Sequence, residues 1–297
     1  MSMRFTEIGQ QLRAYRLESG LRAEEIAARL GVSRAALYRY EKGEVIKLDT
    51  IKRLAELLKI SPLSLLGIGV EYYNRSIGYF ERVRQVEESA DQILRLSGGL
   101  SYLTTSDSYD AALAEAFDEA AEQAGPERLA MRSVAEQVLG ILAARKRMYQ
   151  MRRPSIIAMM SLPSIQRLLD GGIVSGITLS DRVRRICRDV AANEVENIAN
   201  LMETEPMGLQ FGVLAGAEPS SNFSILRSRD RVSLAVNPFH TGTHPSAQTG
   251  VAMITGADEA ISAHQRVAEA SWREAIKGPT GAAKLRELLG KEPATAS

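Results

Sequence analysis

Two arginines lie on either side of two adjacent alanines in the segment GVSRAALYRYEKG, which runs from residue 31 to residue 43. A guanidinium group donates several hydrogen bonds in a fixed plane, so Arg34 and Arg39 are suited to bind a phosphate or a guanine edge. Ala35 and Ala36 carry only methyl groups, which let another molecule approach the backbone closely. Ser33 can cap a helix and donate a hydrogen bond to an anion. These residue types predict contact with double-stranded DNA.

Several short helices must position this segment. Apolar residues recur at helical spacing in a first helix, and a second helix ends at Leu30, directly before a turn at Gly31. The third helix carries the alanines and ends at Gly43. Two further helices are expected around residues 49–58 and from residue 61 onward. The first 66 residues, which we call the head, therefore predict an all-α domain of five helices.

The order and spacing of these helices resemble the lambda-repressor/Cro type of helix-turn-helix regulator, also called the xenobiotic-response-element (XRE) family. The matching stretches are IGQQLRAYRLESGL, EEIAARLGVS, RAALYRYEKGE and LDTIKRLAELLKIS. The resemblance implies that the third helix enters the major groove and that Arg34 and Arg39 contact base edges or phosphates. It also implies that Arg22, Ala23, Lys42 and Lys47 lie near the sugar-phosphate backbone of the DNA. By the same resemblance, Arg16 and Glu41 form a structural ion pair between the first and third helices.

Composition and charge favour a two-domain protein with an anionic partner at one end. The chain has 297 residues, which suggests about two domains. The head has 12 Lys and Arg against 8 Asp and Glu, whereas the remaining residues have 25 against 28. The N-terminus lacks the apolar segment of a secretory signal, and prolines and histidines interrupt the longest uncharged run. With one cysteine, Cys187, we expect a cytoplasmic protein without a disulfide framework or a membrane span.

Residues 67–98 show a different periodicity. Apolar residues from Tyr79 to Ile93 alternate at spacings of four and three, as in a short coiled coil. One interpretation is a linker helix that pairs two protomers. The other is an amphipathic helix that packs on its own domain. The sequence leaves both open.

Residues 99–297 predict an α/β domain with a mixed sheet. Strand-like runs fall at residues 100–105, 155–160, 209–215, 222–226, 232–236 and 251–255. Helices are expected around residues 109–124, 127–150, 164–170, 181–204 and 258–277, with a smaller one at 283–289. The whole chain is thus expected to be multidomain, with a helical head, a linker helix and an α/β domain.

The C-terminal half also resembles the phospholipase D-like sensor domains of some bacterial regulators. The matching stretches are LQFGVLAGAEPSSNFSILRSRDRVSLAVNPF and GVAMITGADEAISAHQRVAEASWREA. Such enzymes need the signature His-x-Lys-x4-Asp, but Gly242 follows His240 at the lysine position and Ser246 follows His244. The resemblance therefore implies a binding fold without catalysis, and we expect no enzyme activity and no cofactor.

The segment His240-Thr-Gly-Thr-His244 is the strongest candidate for a ligand site. Two histidines four residues apart bind metal well on a helix, but prolines and a glycine place these in a loop without an evident third ligand. We therefore expect no metal. The loop can instead border a pocket for a small-molecule effector, with Arg227, Asn237, His240 and His244 as candidate contacts. Clusters such as Arg145-Lys146-Arg147 are typical of solvated faces, but they are also the first places to seek an anionic effector.

Three functions fit these patterns. The first is a transcription regulator that binds a palindromic operator as a homodimer and responds to a small-molecule effector. The second is an enzyme with a DNA-binding head that regulates its own pathway. The third is an antitoxin-like regulator whose larger domain binds another protein. The absence of a recognisable catalytic motif favours the first.

Overall fold

The computed structural model describes residues 5–216 and 218–290. The first four residues of the predicted head and residues 291–297 of the predicted C-terminal domain lie outside the described residues. The described part of the head contains five helices. They are α1 (Phe5–Ser19), α2 (Ala23–Leu30), α3 (Arg34–Glu41), α4 (Leu48–Leu58) and α5 (Pro62–Leu65).

The head folds around one apolar core. Leu12, Ile26, Leu37 and Leu54 are fully buried, one from each of the four longer helices. Helices α1 and α3 touch through their backbones at Gly9, where an added Cβ would lie 2.5 Å from the carbonyl oxygen of Tyr40. Only glycine allows this contact, which fixes the position of α3 on the head.

The remaining residues, 67–290, form the body, and in it eight described strands build one mixed sheet. The spatial order is β1-β7-β6-β5-β2-β3-β4-β8. Strands β2, β3 and β4 are parallel, and the other pairs are antiparallel. The strands are β1 (Val70–Tyr73), β2 (Gln92–Leu96), β3 (Ser155–Ser161), β4 (Leu209–Leu214), β5 (Phe223–Arg227), β6 (Val232–Val236), β7 (Ala252–Thr255) and β8 (Ile276–Lys277).

Helices cover both faces of this sheet. Helix α11 packs on one face, where Leu96, Phe223, Leu234 and Ile261 form a small apolar cluster. The larger core cluster joins the other face to the remaining long helices. The helices of the body are α6 (Ser76–Glu87), α7 (Asp107–Glu122), α8 (Arg128–Arg152), α9 (Leu162–Gly171), α10 (Asp181–Thr204), α11 (Asp258–Glu274) and α12 (Gly278–Leu289).

Two parts of the predicted organisation are wrong. Residues 67–98 are not a linker helix, because β1, α6 and β2 occupy this range and both strands belong to the sheet. The seam residues Tyr79, Val83, Ala90 and Ile93 are buried in the larger core cluster, which is continuous with the core of the head. For the helical part, this agrees with the alternative interpretation of an amphipathic helix that packs within its own chain. The expected strand at residues 100–105 is also absent, and Tyr102–Thr104 form a 3-10 turn there.

The described helices do not suggest a membrane span. Within residues 5–216 and 218–290, no helix has both the length and the apolar character needed to cross a bilayer.

Candidate functional site

The turn before α3 sets the direction of that helix. Helix α2 ends at Gly31, which adopts a left-handed conformation with φ of 71°. The side-chain oxygen of Ser33 then accepts a hydrogen bond from the Ala36 amide at 3.1 Å and caps α3. Leu37, which is 0% exposed, anchors the helix in the core. One face of the first turn of α3 therefore projects from the head, and the other face is held in the core by Leu37.

The projecting face carries two arginines that already have partners of their own. The guanidinium of Arg34 lies 2.6 Å from a Glu24 carboxylate oxygen and 5.3 Å from the centre of the Tyr38 ring. Arg39 pairs with Glu44 at 3.0 Å. Both arginine side chains are more than half exposed, at 59% and 58%. Because exposed ion pairs are weak, a phosphate or a base edge can replace either carboxylate at little cost.

Only one alanine of the pair faces outward. Ala35 is exposed, whereas Ala36 is 9% exposed and packs into the head, so of the two side chains only that of Ala35 lies open to a ligand. Successive helix residues point about 100° apart, and Ala36 lies on the same side as Leu37. Ala23 is also buried, at 3% exposure, and its side chain does not reach the surface.

The other predicted head residues take two kinds of position. Arg22, Lys42 and Lys47 are exposed around α3 and extend the basic surface. Arg16 instead lies beneath it, and its guanidinium contacts Glu41 at 2.5 and 3.2 Å. Burial lowers the pKa of Arg16, but the hydrogen bond and charge of Glu41 outweigh this and raise it above its usual value. This pair joins α1 to α3 and supports the projecting face.

The body contains a cavity of about 520 Å³ beside the carboxyl end of β2. Crevices beyond the carboxyl ends of parallel strands are common ligand sites in α/β sheets. Residues from α6, β2, α8 and α9 and from the loop that follows β6 line it. The charged lining residues are Glu87, Arg95, Arg145, Arg167 and Glu218, with His240 at the loop; the aromatic ones are Tyr79, Phe80, Tyr102, Tyr109 and Phe239.

The cavity brings together two of the four predicted effector residues. Asn237 and His240 line it. Arg227 lies on the α11 side of the sheet, where it donates a hydrogen bond to Gln265 at 2.8 Å. His244 is 0% exposed, its ring packs 5.1 Å from that of Phe117, and its Nδ1 accepts the Ser246 amide.

No metal site is evident near these histidines. Among the described residues, no group of three His, Cys, Asp or Glu side chains could hold a metal ion.

Charged groups that the sequence suggested were solvated are buried around the cavity. Arg145 is 5% exposed and lines the cavity, and the neighbouring Lys146 is 4% exposed. Arg145 donates two hydrogen bonds of 2.8 Å to Glu87 on α6. Burial lowers the pKa of Arg145, but the Glu87 charge and hydrogen bonds raise it above the usual value. The expectation of a solvated face at these two residues is therefore wrong.

Sequence reasoning missed Arg95, although β2 contains a signal for it. Along this strand, Leu94 and Leu96 pack toward α11, whereas Ile93 packs toward the opposite face. Strand residues alternate between faces, so Arg95 shares the face of Ile93. An arginine at an inward-facing position of an apolar strand is unusual and marks a candidate functional residue.

Helix α6 connects this cavity to the head. Tyr79, Phe80 and Val83 on α6 line the cavity. On α6, Glu81 also pairs with Arg13 of α1 at 2.7 Å. A carboxylate oxygen of Glu18 on α1 accepts the backbone amide of residue 74, just before α6, at 2.7 Å. A shift of α6 would therefore change both the lining of the cavity and the contacts between the body and the head.

A second contact between head and body is buried. Gln11 of α1 donates a hydrogen bond to Glu71 of β1 at 2.6 Å. Glu71 also pairs with Arg82 of α6 through bonds of 2.8 and 3.1 Å. Burial raises the pKa of Glu71, but the charge of Arg82 and these hydrogen bonds lower it below its usual value. The ionised carboxylate thus joins α1, β1 and α6.

Comparison with known proteins identifies the head. Residues 7–65 match the family described as "Helix-turn-helix domain", a stretch of about a fifth of the chain. No curated protein matches the sequence significantly. The N-terminal domain is a helix-turn-helix domain, and this supports a DNA-binding transcription regulator.

The solved structures with a remote similarity to this chain include that of TrmBL2, described as an archaeal chromatin protein that shows a novel mode of DNA binding. The two chains share 9% identity, and the alignment covers 70% of this chain and 52% of that chain with a TM-score of 0.33. The chain thus spans about half the length of that protein, and a similarity this low carries no argument about function.

Proposed function

We propose that this protein is a sequence-specific transcription regulator of the XRE type, whose head binds an operator and whose body binds a small-molecule effector. The observation that carries the proposal is the projecting face of α3, with Arg34, Ala35 and Arg39 exposed beside a capped helix N-terminus. A helix presented in this way fits the major groove of DNA. The proposal places the protein in the cytoplasm and gives the body a binding role without catalysis.

Genome-wide mapping of bound DNA, followed by footprinting, tests the first half. On the operator so defined, Arg34→Ala and Arg39→Ala should each weaken binding by about 1–3 kcal/mol and relax base preference. The matched control is Arg273→Ala, which removes an exposed arginine from the last turn of α11, outside the head. Unchanged affinity and specificity in both head variants would contradict the proposed docking.

We propose that the protein binds as a homodimer. One head covers about half of a palindromic site, so specific binding usually requires two heads on half-sites about 10 bp apart. The head exposes Leu48 at 76% and Leu63 at 55%, and apolar side chains so exposed are suited to a contact with a second copy. Sedimentation of the free protein and of its operator complex measures the stoichiometry. A monomer that binds isolated half-sites with full affinity would contradict the proposal.

Helix α6 is the element proposed to couple effector binding to the head. It lines the cavity with Tyr79 and Phe80 and contacts α1 through Glu81. An effector that contacts α6 differently in two arrangements of the body would change the spacing of two heads, and so the affinity for the operator. Glu81→Gln should therefore reduce the effect of an effector on operator affinity more than it changes effector binding itself.

A further inference from the structure

Arg95 lies in the cavity wall without a partner for its charge. Its side chain faces the cavity, and the Nε atom is inaccessible and has no hydrogen-bond partner. Among the described residues, no carboxylate lies within ion-pair distance of Arg95. Burial, together with the nearby charge of Arg145, lowers the pKa of Arg95 below its usual value, although the charge of Glu87 partly opposes this. The side chain is partly exposed, toward the cavity. A partly buried guanidinium without an ion-pair partner opposes folding, so its presence here needs another explanation.

The carboxylates around this cavity already have partners. Glu87 binds Arg145 through two hydrogen bonds of 2.8 Å. Glu218 pairs with Arg167, and both of these residues line the cavity. The described charged lining residues are therefore three arginines and two carboxylates, apart from His240. Their balance leaves one positive charge, which belongs to Arg95.

We propose that the cavity binds a small organic anion with one carboxylate, and that this carboxylate pairs with Arg95. The inference rests on the proposed effector role of the cavity and adds the chemical class of the effector. A carboxylate matches the planar guanidinium in a bidentate arrangement and supplies the single charge that the lining lacks. An inorganic anion alone would leave most of the cavity without contacts.

The remaining space favours an apolar or aromatic group on the same molecule. A volume of about 520 Å³ suits a metabolite of moderate size. Rings of Tyr79, Phe80 and Phe239 supply flat apolar walls, and Asn237 adds a polar group at the same loop as His240. Because Tyr79 and Phe80 belong to α6, a ring seated against them would contact the helix that also touches the head.

The test compares carboxylates with their neutral amides. Acetate, benzoate and indole-3-acetate, each beside acetamide, benzamide or indole-3-acetamide, are titrated into the full chain by calorimetry in a low-chloride buffer. We expect at least one carboxylate to bind more tightly than its amide, with benzoate or indole-3-acetate ahead of acetate. Arg95→Met should weaken that binding by about tenfold or more. Phenyl phosphate is included, and tighter binding of this dianion than of every carboxylate would overturn the assignment.

A matched variant and a second measurement keep the test decisive. Arg227→Met removes a partly buried arginine from the opposite face of the same sheet and should leave carboxylate binding unchanged. Without any anion, Arg95→Met should unfold at a higher urea concentration than the wild type, because it removes a partly buried charge that has no ion-pair partner. If no carboxylate binds better than its amide, or if Arg95→Met binds as well as the wild type, the inference is wrong.

These measurements separate the two proposals. Anion binding is measured without DNA, so its failure leaves the recognition of an operator by the head unaffected. Arg34→Ala should lose operator affinity and keep the carboxylate titration of the wild type. Arg95→Met should keep operator affinity in the absence of anion. An Arg95→Met protein that loses both properties would contradict the assignment of this residue to the cavity alone.

Discussion

The arginines of the head and the arginine of the cavity lie in opposite environments. Arg34 and Arg39 are more than half exposed, and each has a carboxylate beside it. Arg95 has an inaccessible Nε without a hydrogen-bond partner, and no carboxylate of the described residues lies within ion-pair distance of it. Exposed charges are solvated and cost little to rearrange, whereas a buried charge depends on the groups built around it.

The two environments place different demands on a bound molecule. At the head, DNA must compete with Glu24 and Glu44, so affinity depends on many weak contacts and falls as salt rises. In the cavity, the proposed anion would supply a charge that the lining residues lack. A single contact there would then change the stability of the body, as expected for a site that regulates another one.

The buried contact that joins the head to the body, made by Gln11, Glu71 and Arg82, is where we expect a substitution to have the largest effect on stability. Glu71→Gln removes the charge that binds Arg82 and leaves that guanidinium buried at 3% exposure. We expect a loss of about 5 kcal/mol in the free energy of unfolding, near the top of the range for a broken buried ion pair. Urea denaturation measures it. The double variant Glu71→Leu with Arg82→Met should recover most of the loss, and a stable single variant would show that the junction is not tightly packed.

The next prediction compares carboxylate partners in the two regions. Glu87→Gln leaves Arg145 unpaired beside Arg95, and we expect it to lower the free energy of unfolding by about 3 kcal/mol. Glu44→Gln removes the exposed partner of Arg39 and should change it by no more than about 1 kcal/mol. Parallel urea titrations give both values. Equal losses of unfolding free energy in the two variants would contradict the difference proposed between the buried pair and the exposed pair.

The two alanines of α3 allow a finer comparison within the head. Ala36→Leu forces a larger side chain into the core and should destabilise the protein by about 1–3 kcal/mol. Ala35→Leu lies on the exposed face and should change stability by no more than about 0.5 kcal/mol. It should nevertheless weaken operator binding, because the longer side chain occupies space next to the DNA. A normal operator affinity for Ala35→Leu would indicate that this face does not contact DNA.

The smallest effect concerns His244 and pH. Burial lowers the pKa of His244 below its ordinary value, so the neutral ring is favoured in the folded protein. Its contribution to stability is complete above about pH 6.5 and is lost as the pH falls through the lower folded pKa. His244→Asn, which can still accept the Ser246 amide, should remove this loss. Unfolding free energies measured from pH 8 to pH 5 should run parallel above about pH 7 and diverge below it.

Local sequence signals predicted the elements that depend on nearby residues. The helix at Asp181–Thr204 lies at the residues expected for it, and the hairpin of β5 and β6 closely matches its expected strands. Glycine at position 31 and serine at position 33 marked the turn before α3, because caps and turns use backbone geometry within a few residues. Strand β1 has only four residues, and its pairing with β7 joins segments far apart in the chain, so no local pattern showed it.

Spacing misled where several structures share the same pattern. Tyr79, Val83, Ala90 and Ile93 fit a coiled-coil seam, but the chain divides them between α6, a loop and β2. An apolar stripe needs a partner surface and does not specify which one. Here the sheet, α1 and α8 supply that surface, so the stripe is covered within one chain.

Local sequence signals were enough to predict the helix-turn-helix head and the α/β character of the body, since caps, glycine turns and apolar spacing all act over short distances. The packed structure was needed to show that Ala36 faces the core, that Arg145 and Glu87 meet, and that Arg95 has no ion-pair partner in the cavity. Burial and charge pairing are set by residues distant in the chain, and they become defined only when the sheet and its helices pack together.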